Sequence, residues 1–204
     1  KVKFFKTHHI NCKIGQYSFT SKKNTLATIY ITRDPRNLVN SISNHFSKSV
    51  EDSKNFLFAP KIITKFEKED DLDNGSLITL LGTWNEHYNF WKNNNENFLL
   101  IKYEDLINNT NSELDKIIAF IKRFTPIQTD EIKNKNIIKT TSFNYLQNLE
   151  EKGGFDENAY DTNDTKKKFF NLGPKNNWEN NLNKKIKDEI ELKFYVEMKE
   201  LGYL

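Results

Sequence analysis

Apolar residues in this chain fall in short bursts between long polar stretches, and the spacing within each burst names an element. Residues 26–31 are short, apolar and rich in β-branched side chains, which predicts a buried strand. Asp34 and Pro35 follow as a helix cap and a first helical residue. Leu38, Ile42 and Phe46 then recur every fourth position, with Val39 widening the stripe, so the strand runs through a charged turn into an amphipathic helix. Residues 2–5 predict a shorter strand that delivers Lys6, Thr7, His8 and His9 to its end, ahead of a polar loop over 11–24. Leu77, Leu80, Leu81, Trp84, Tyr88 and Trp91 keep a three-or-four spacing and predict one long helix, and residues 98–103 predict another strand. Thr110 with Glu113 reads as a capping box ahead of a helix bearing Leu114, Ile117, Ile118, Ile121 and Phe124. Thr129 is the expected cap of a helix over 130–139, and a closing helix over 184–201 carries Ile186, Ile190, Phe194 and Met198 on one face.

The polar stretches carry less pattern. Residues 47–76 predict a charged surface insertion with one short helix around 61–68 and with Phe56, Phe58 and Phe66 as packing aromatics. Residues 150–168, rich in glycine, asparagine and charge, predict a long mobile loop. No repeat or linker interrupts the chain, so 204 residues predict a single domain. Mean hydropathy is low at -0.76, yet 16 Phe, 8 Tyr and 3 Trp supply large core side chains, which argues against global disorder.

Charge changes the picture only mildly. A net charge of +3, from 31 basic and 28 acidic residues spread along the chain, suits a small anionic ligand and does not call for nucleic acid, which would need a concentrated basic face. The single cysteine, Cys12, excludes an internal disulfide and a thiolate zinc cluster, and it predicts a reducing, cytoplasmic setting. No His, Cys, Asp and Glu spacing predicts a metal site. No apolar run predicts a membrane span and no signal peptide is read. The first residue, Lys1, with no initiating Met, predicts a fragment or a processed start.

The candidate chemistry begins at Arg33, the carboxyl end of the predicted strand. In open α/β sheets ligands bind at that edge, and the following helix aims its free N–H groups and positive dipole end at an anion. Ser41 lies two turns into the helix and adds a hydroxyl donor. On these residues alone the site is a generic anion site.

The wording of the segment, with Arg33 and Ser41 eight apart after an aromatic-containing strand, resembles the 3′-phosphate-binding segment of the sulfotransferases that use 3′-phosphoadenosine 5′-phosphosulfate. Four further stretches resemble that family in the correct order. Lys6-Thr7-His8 is similar to the motif holding a catalytic lysine and the general base, so the resemblance implies Lys6 and His8 as catalytic, with His9 as the alternative base; His87 receives no catalytic role. Tyr103-Glu104-Asp105-Leu106 is similar to the family segment whose tyrosine borders the adenine. Thr141-Ser142-Phe143 resembles the segment that flanks the adenine, and Phe170 is expected beside it. Phe169, Gly173 and Trp178 keep the spacing of a further phosphate-gripping segment, but Asn171 and Leu172 stand where the family has Arg-Lys. Lys175 or Lys168 is therefore expected to supply the charge.

The fold implied by the resemblance is α/β, a mostly parallel sheet flanked by helices, like the nucleotide kinases and P-loop NTPases. It is expected to be N-terminally incomplete, because no glycine-rich phosphosulfate loop is found and Gly15 has no strand-to-helix setting. The activity implied is transfer of a sulfuryl group to a hydroxyl or amine of a small-molecule or glycan acceptor, leaving adenosine 3′,5′-bisphosphate; this chain alone is expected to lack activity if that loop is missing. Two other classes stay open: an ATP-dependent nucleotide or nucleoside kinase relative, and a non-catalytic basic module that binds RNA or another polyanion through Lys166, Lys167, Lys168, Lys184, Lys185 and Lys187. The resemblance also implies that the insertion over 47–76 helps to cover the acceptor, with Phe56, Phe58 and Phe66 lining its mouth as the alternative to packing; acceptor identity and oligomeric state are left open by the sequence.

Overall fold

A strand end feeding a helix belongs to the larger of two units. The computed structural model describes residues 2–63, 79–155, 159–160 and 165–204. The chain divides into one unit of Lys1–Thr28 with Asn55–Phe98 and a second of Ile29–Lys54 with Leu99–Leu204. In chain order the elements are β1 (Lys13–Ile14), β2 (Tyr17–Ser18), β3 (Thr28–Thr32), α1 (Pro35–Phe46), α2 (Val50–Phe58), β4 (Lys61–Ile63), β5 (Thr79–Leu81), α3 (Trp84–Asn93) and β6 (Phe98–Lys102). They continue with α4 (Tyr103–Asn108), α5 (Thr110–Lys122), α6 (Glu131–Thr140), α7 (Phe143–Glu151), β7 (Ala159–Tyr160), β8 (Lys166–Lys167), α8 (Trp178–Asn181), α9 (Lys184–Lys193) and α10 (Tyr195–Glu200).

The second unit is α/β, with the parallel pair β3–β6 flanked by helices. The β7–β8 pairing is antiparallel. Its core comes from Val39 and Ile42 of α1, Ile101 of β6, Phe120 of α5, and Ile186, Ile190, Phe194, Met198 and Leu201, all buried. Each such side chain contributes about 1.5–3 kcal/mol of burial free energy. Strand β3 starts two residues later than the pattern predicts, and Leu26 and Ile31 are 50% and 57% exposed. Among the described residues β3 has one strand neighbour, so its apolar side chains are half covered rather than enclosed.

Local chemistry moved several boundaries. The closing helix breaks at Phe194, whose φ of -113° and ψ of 21° end α9 before α10 begins; the apolar stripe nevertheless continues across the break. Thr110 does not cap α5, because α4 runs almost directly into it and the Thr110 hydroxyl donates back to the Leu106 carbonyl at 2.8 Å. Asp130, not Thr129, caps α6, its carboxylate accepting from the Lys133 N–H at 2.8 Å; an anion suits a helix start better than a hydroxyl.

The first unit departs further from expectation. Residues 2–8 take no regular structure, and Phe4 and Phe5 are 68% and 86% exposed, so the strand predicted over 2–5 is not formed. A strand needs a partner ladder for its backbone groups, and none of the described strands supplies one. The predicted loop over 11–24 holds the antiparallel hairpin β1–β2, turned at Gly15 with φ +58°. The helix predicted around 61–68 is contradicted at its start, where Lys61–Ile63 pairs antiparallel with Thr79–Leu81, Ile62 opposite Leu80; residues 64–68, Phe66 among them, lie outside the described residues. A helix does occur in the polar stretch, but as α2.

The long helix predicted from Leu77 is likewise shorter. Thr79–Leu81 is strand, residue 77 lies outside the described residues, and α3 begins at Trp84. Thr83 and Glu86 close a reciprocal capping box that fixes this start. Trp84, Tyr88 and Trp91 are buried as the spacing requires.

Candidate functional site

The site is built from the turn that joins β3 to α1. Asp34 caps α1, its side chain accepting from the Arg36 N–H at 2.9 Å, and Pro35 opens the first turn without an N–H to satisfy. Arg36 folds back on the same carboxylate, Nη2 donating to Asp34 Oδ2 at 2.7 Å and Nε to Oδ1 at 3.0 Å, with both side chains 6% exposed. Its second carboxylate partner is Glu191 of α9 at 2.5 Å, and its guanidinium lies 4.1 Å from the Trp178 ring. Burial alone would lower the Arg36 pKa; the bonds to Asp34 and Glu191 outweigh it and hold the pKa above its ordinary value.

Arg33 has a different environment. Its Nη1 donates to the Ser41 hydroxyl at 2.7 Å, and its guanidinium stacks 4.4 Å over the Tyr103 ring. Its Nε is shielded from solvent and has no hydrogen-bond partner among the described residues. Burial lowers the Arg33 pKa, against the opposing pull of Tyr103, Glu104 and Asp34. A guanidinium remains a cation under any such shift, so this Nε–H is a donor still open to an acceptor, and one that carries negative charge suits it.

Ser41 also accepts from Asn176 Nδ2 at 3.2 Å, and that amide donates to the Asn37 carbonyl at 2.8 Å. Asn40 Nδ2 reaches Asn176 Oδ1 at 3.2 Å, and Asn37 Oδ1 accepts from the Trp178 N–H at 2.8 Å. Thus Asn37, Asn40 and Asn176, none of them singled out from the sequence, fasten the 173–178 turn to α1. Their signal was present as a polar i, i+3, i+4 stripe of Asn37, Asn40 and Ser41 on a helix whose other face is apolar.

The same turn reaches the expected adenine residues. Gly173 has φ +51°, and a Cβ there would stand 2.2 Å from the Phe143 ring. Phe143 packs edge-on against Phe170 at 6.1 Å. Buried Glu150 holds the Phe169 and Phe170 N–H groups at 2.6 and 3.0 Å, which fixes the start of the turn. Thr141 and Ser142 are exposed; their hydroxyls close the end of α6, donating to the Ile137 carbonyl at 2.7 Å and the Lys139 carbonyl at 2.8 Å, while Ser142 also caps α7. Lys168 pairs with Glu151 at 2.7 Å, whereas Lys175 is exposed on the 3-10 turn Gly173–Lys175. Lys167 donates to the Asn44 carbonyl at 3.2 Å near the end of α1.

Lys6 and His8 belong to the other unit, where both are exposed. The His8 carbonyl accepts from His87 Nε2 at 3.2 Å. His9 is committed to packing: its ring stacks on Phe19 at 4.3 Å, Nδ1 donates to the Ile10 carbonyl at 2.6 Å, and its own carbonyl accepts from Trp91 at 3.0 Å. Among the described residues no group of three or more His, Cys, Asp and Glu side chains could hold a metal ion, and no helix is long and apolar enough to cross a membrane.

The sequence matches the family model described as "Sulfotransferase domain" over residues 1–202. It is 30% identical over 147 residues to a 3-alpha-hydroxysteroid sulfotransferase of Cavia porcellus, covering 71% of this chain and 46% of that protein. A 3-beta-hydroxysteroid sulfotransferase of Cavia porcellus is 29% identical with the same coverage. The chain thus spans about half the length of the curated relatives it matches. Among solved structures, mouse sulfotransferase SULT7A1 complexed with PAP is similar in fold, with a TM-score of 0.57 and 19% identity over 85% of this chain and 58% of that one.

Proposed function

Because the chain belongs to the sulfotransferase domain family, we propose that it carries the 3′-phosphate and adenine part of a site for 3′-phosphoadenosine 5′-phosphosulfate, and that the protein transfers a sulfuryl group to a hydroxyl or amine of a small-molecule acceptor. The observation that carries this reading is the Arg33 guanidinium, bonded to Ser41 yet with a shielded Nε that lacks a partner among the described residues. Those donors fit a terminal phosphate, which accepts charge-assisted hydrogen bonds from several directions at once.

When bound, the nucleotide supplies an activated sulfuryl group on a phosphate leaving group. Arg33 and Ser41 hold the 3′-phosphate, and Tyr103, Phe143 and Phe170 offer aromatic surface to the adenine, with Gly173 keeping the turn close to Phe143. Thr141 and Ser142 set the start of α7 and so the place of Phe143. The missing Arg-Lys charge falls to Lys175, which has no carboxylate partner among the salt bridges of the described residues. His8 takes the acceptor proton as the new O–S or N–S bond forms and the bond to the leaving phosphate oxygen breaks; an imidazole suits this near neutral pH. Lys6 stabilises the charge that develops on the leaving oxygen. His9 is the weaker candidate for the base because its ring nitrogen is already engaged.

Calorimetric titration with adenosine 3′,5′-bisphosphate against adenosine 5′-monophosphate tests the reading. Binding that depends on the 3′-phosphate and is lost in Arg33→Ala supports it; equal affinity for the two nucleotides overturns it.

A further inference from the structure

Two carboxylates flank Arg33, yet neither accepts a hydrogen bond from it among the described residues. Asp34 is next in sequence and is occupied by Arg36. Glu104 follows Tyr103, the ring on which Arg33 stacks, and each of its oxygens is directed to another donor: Oε1 accepts from the Asp34 N–H at 3.1 Å and Oε2 from the Tyr203 hydroxyl at 3.2 Å. Tyr203 is tied back in turn, its carbonyl accepting from Arg36 Nη2 at 2.8 Å. Asp34, Glu104, Tyr203 and Arg36 therefore form a closed ring of hydrogen bonds around the base of Arg33.

The position of Tyr203 is set by a helix stop. The Gly202 N–H bonds to the Lys199 carbonyl at 3.1 Å and the Tyr203 N–H to the Met198 carbonyl at 2.8 Å, with Gly202 at φ +69°. That paired pattern is a Schellman motif, and its left-handed residue turns the chain so that Tyr203 faces back toward β6. Lys102 of β6 donates to the Leu201 carbonyl at 3.3 Å, which fixes the turn from the other side.

A buried guanidinium with an idle N–H beside a carboxylate should pair with it. We propose that Tyr203 is a positioning residue that holds Glu104 away from Arg33, so that the Arg33 Nε stays available for an anion. The inference rests on the 3′-phosphate reading of Arg33. Without the tyrosine hydroxyl, Glu104 Oε2 loses its donor and closes on Arg33, and an internal carboxylate then competes with the ligand.

Tyr203→Phe keeps the ring and removes only the hydroxyl. It should weaken adenosine 3′,5′-bisphosphate by about ten- to a hundredfold, the range of one charge-assisted hydrogen bond, and leave adenosine 5′-monophosphate unchanged. The double variant Tyr203→Phe with Glu104→Gln removes the competing charge and should recover most of that affinity, which a purely structural role for Tyr203 would not do. The Arg33 Nε–H resonance, assigned with Arg33→Lys, gives a second readout that needs no nucleotide. It should move downfield in Tyr203→Phe and return in the double variant. If the wild-type chain does not distinguish the two nucleotides, the 3′-phosphate reading fails, and the resonance alone decides whether Tyr203 keeps Glu104 off Arg33. An unmoved resonance, or unchanged discrimination in Tyr203→Phe from a discriminating wild type, overturns the proposal.

Discussion

Arg33 and Ser41, eight residues apart, meet through a hydrogen bond of 2.7 Å that ties the end of β3 to the second turn of α1. Ser41→Ala removes the acceptor for Nη1 and for Asn176 together. Under the proposed function it should weaken adenosine 3′,5′-bisphosphate by about 1–2 kcal/mol, less than Arg33→Ala because no charge is lost. Calorimetry decides; a loss equal for adenosine 5′-monophosphate would point to a disturbed helix instead.

The Asp34–Arg36 pair serves the frame rather than the ligand. Both side chains are nearly inaccessible, and Arg36 links the turn to α9 through Glu191 and to the segment after α10 through Tyr203. Arg36→Ala leaves Asp34 buried and unpaired, so it should cost about 3–5 kcal/mol in urea denaturation. A shift in midpoint of the size of a surface substitution would contradict this role.

His87 makes the stability of its unit depend on acid. Burial lowers its pKa from the ordinary 6.5, although its bond to the His8 carbonyl pulls the other way. The unfolded chain takes up a proton as pH falls through about 6.5, while the folded chain takes it only at lower pH. The contribution is therefore complete above the unfolded value and declines as pH drops below it. Urea midpoints should fall between pH 7.5 and pH 5.5, and His87→Gln should flatten that decline.

At Gly173 the backbone and the packing make the same demand. An added Cβ meets the Phe143 ring at 2.2 Å in a conformation, φ +51°, that side chains rarely adopt. Gly173→Ala should cost more than about 1 kcal/mol and displace Phe143 from Phe170, which near-ultraviolet circular dichroism would register as an altered aromatic signal. An unchanged spectrum with unchanged stability would show that the turn yields at no expense.

How much of this was legible in advance depends on the range of the interaction. The Arg33–Ser41 relation could be expected because both residues lie on one strand–turn–helix unit, where spacing nearly determines geometry. Val39, Ile42, Ile186, Ile190, Phe194 and Met198 were readable for the same reason, since helical periodicity sorts a buried face without knowledge of the partner. Competition between neighbouring signals misled the reading elsewhere. Leu77, Leu80 and Leu81 extend the spacing of Trp84, but the Thr83–Glu86 box starts the helix later and pairing with Lys61–Ile63 claims Thr79–Leu81 as strand. Residues 2–5 had the composition of a strand, and composition cannot provide the neighbouring ladder.

The sequence by itself determined the passage from the β3 strand through a turn into α1, the apolar faces of α1 and of the closing helices, and the placement of Arg33 at a strand end, because each follows from periodicity, caps and turn chemistry within a few residues. Only the tertiary structure decided which carboxylates were free to reach Arg33. That depends on Arg36 occupying Asp34 and on Tyr203, far away in sequence, occupying Glu104. Hydrogen-bond partners at such separations are chosen by how the chain packs, and no local pattern encodes them.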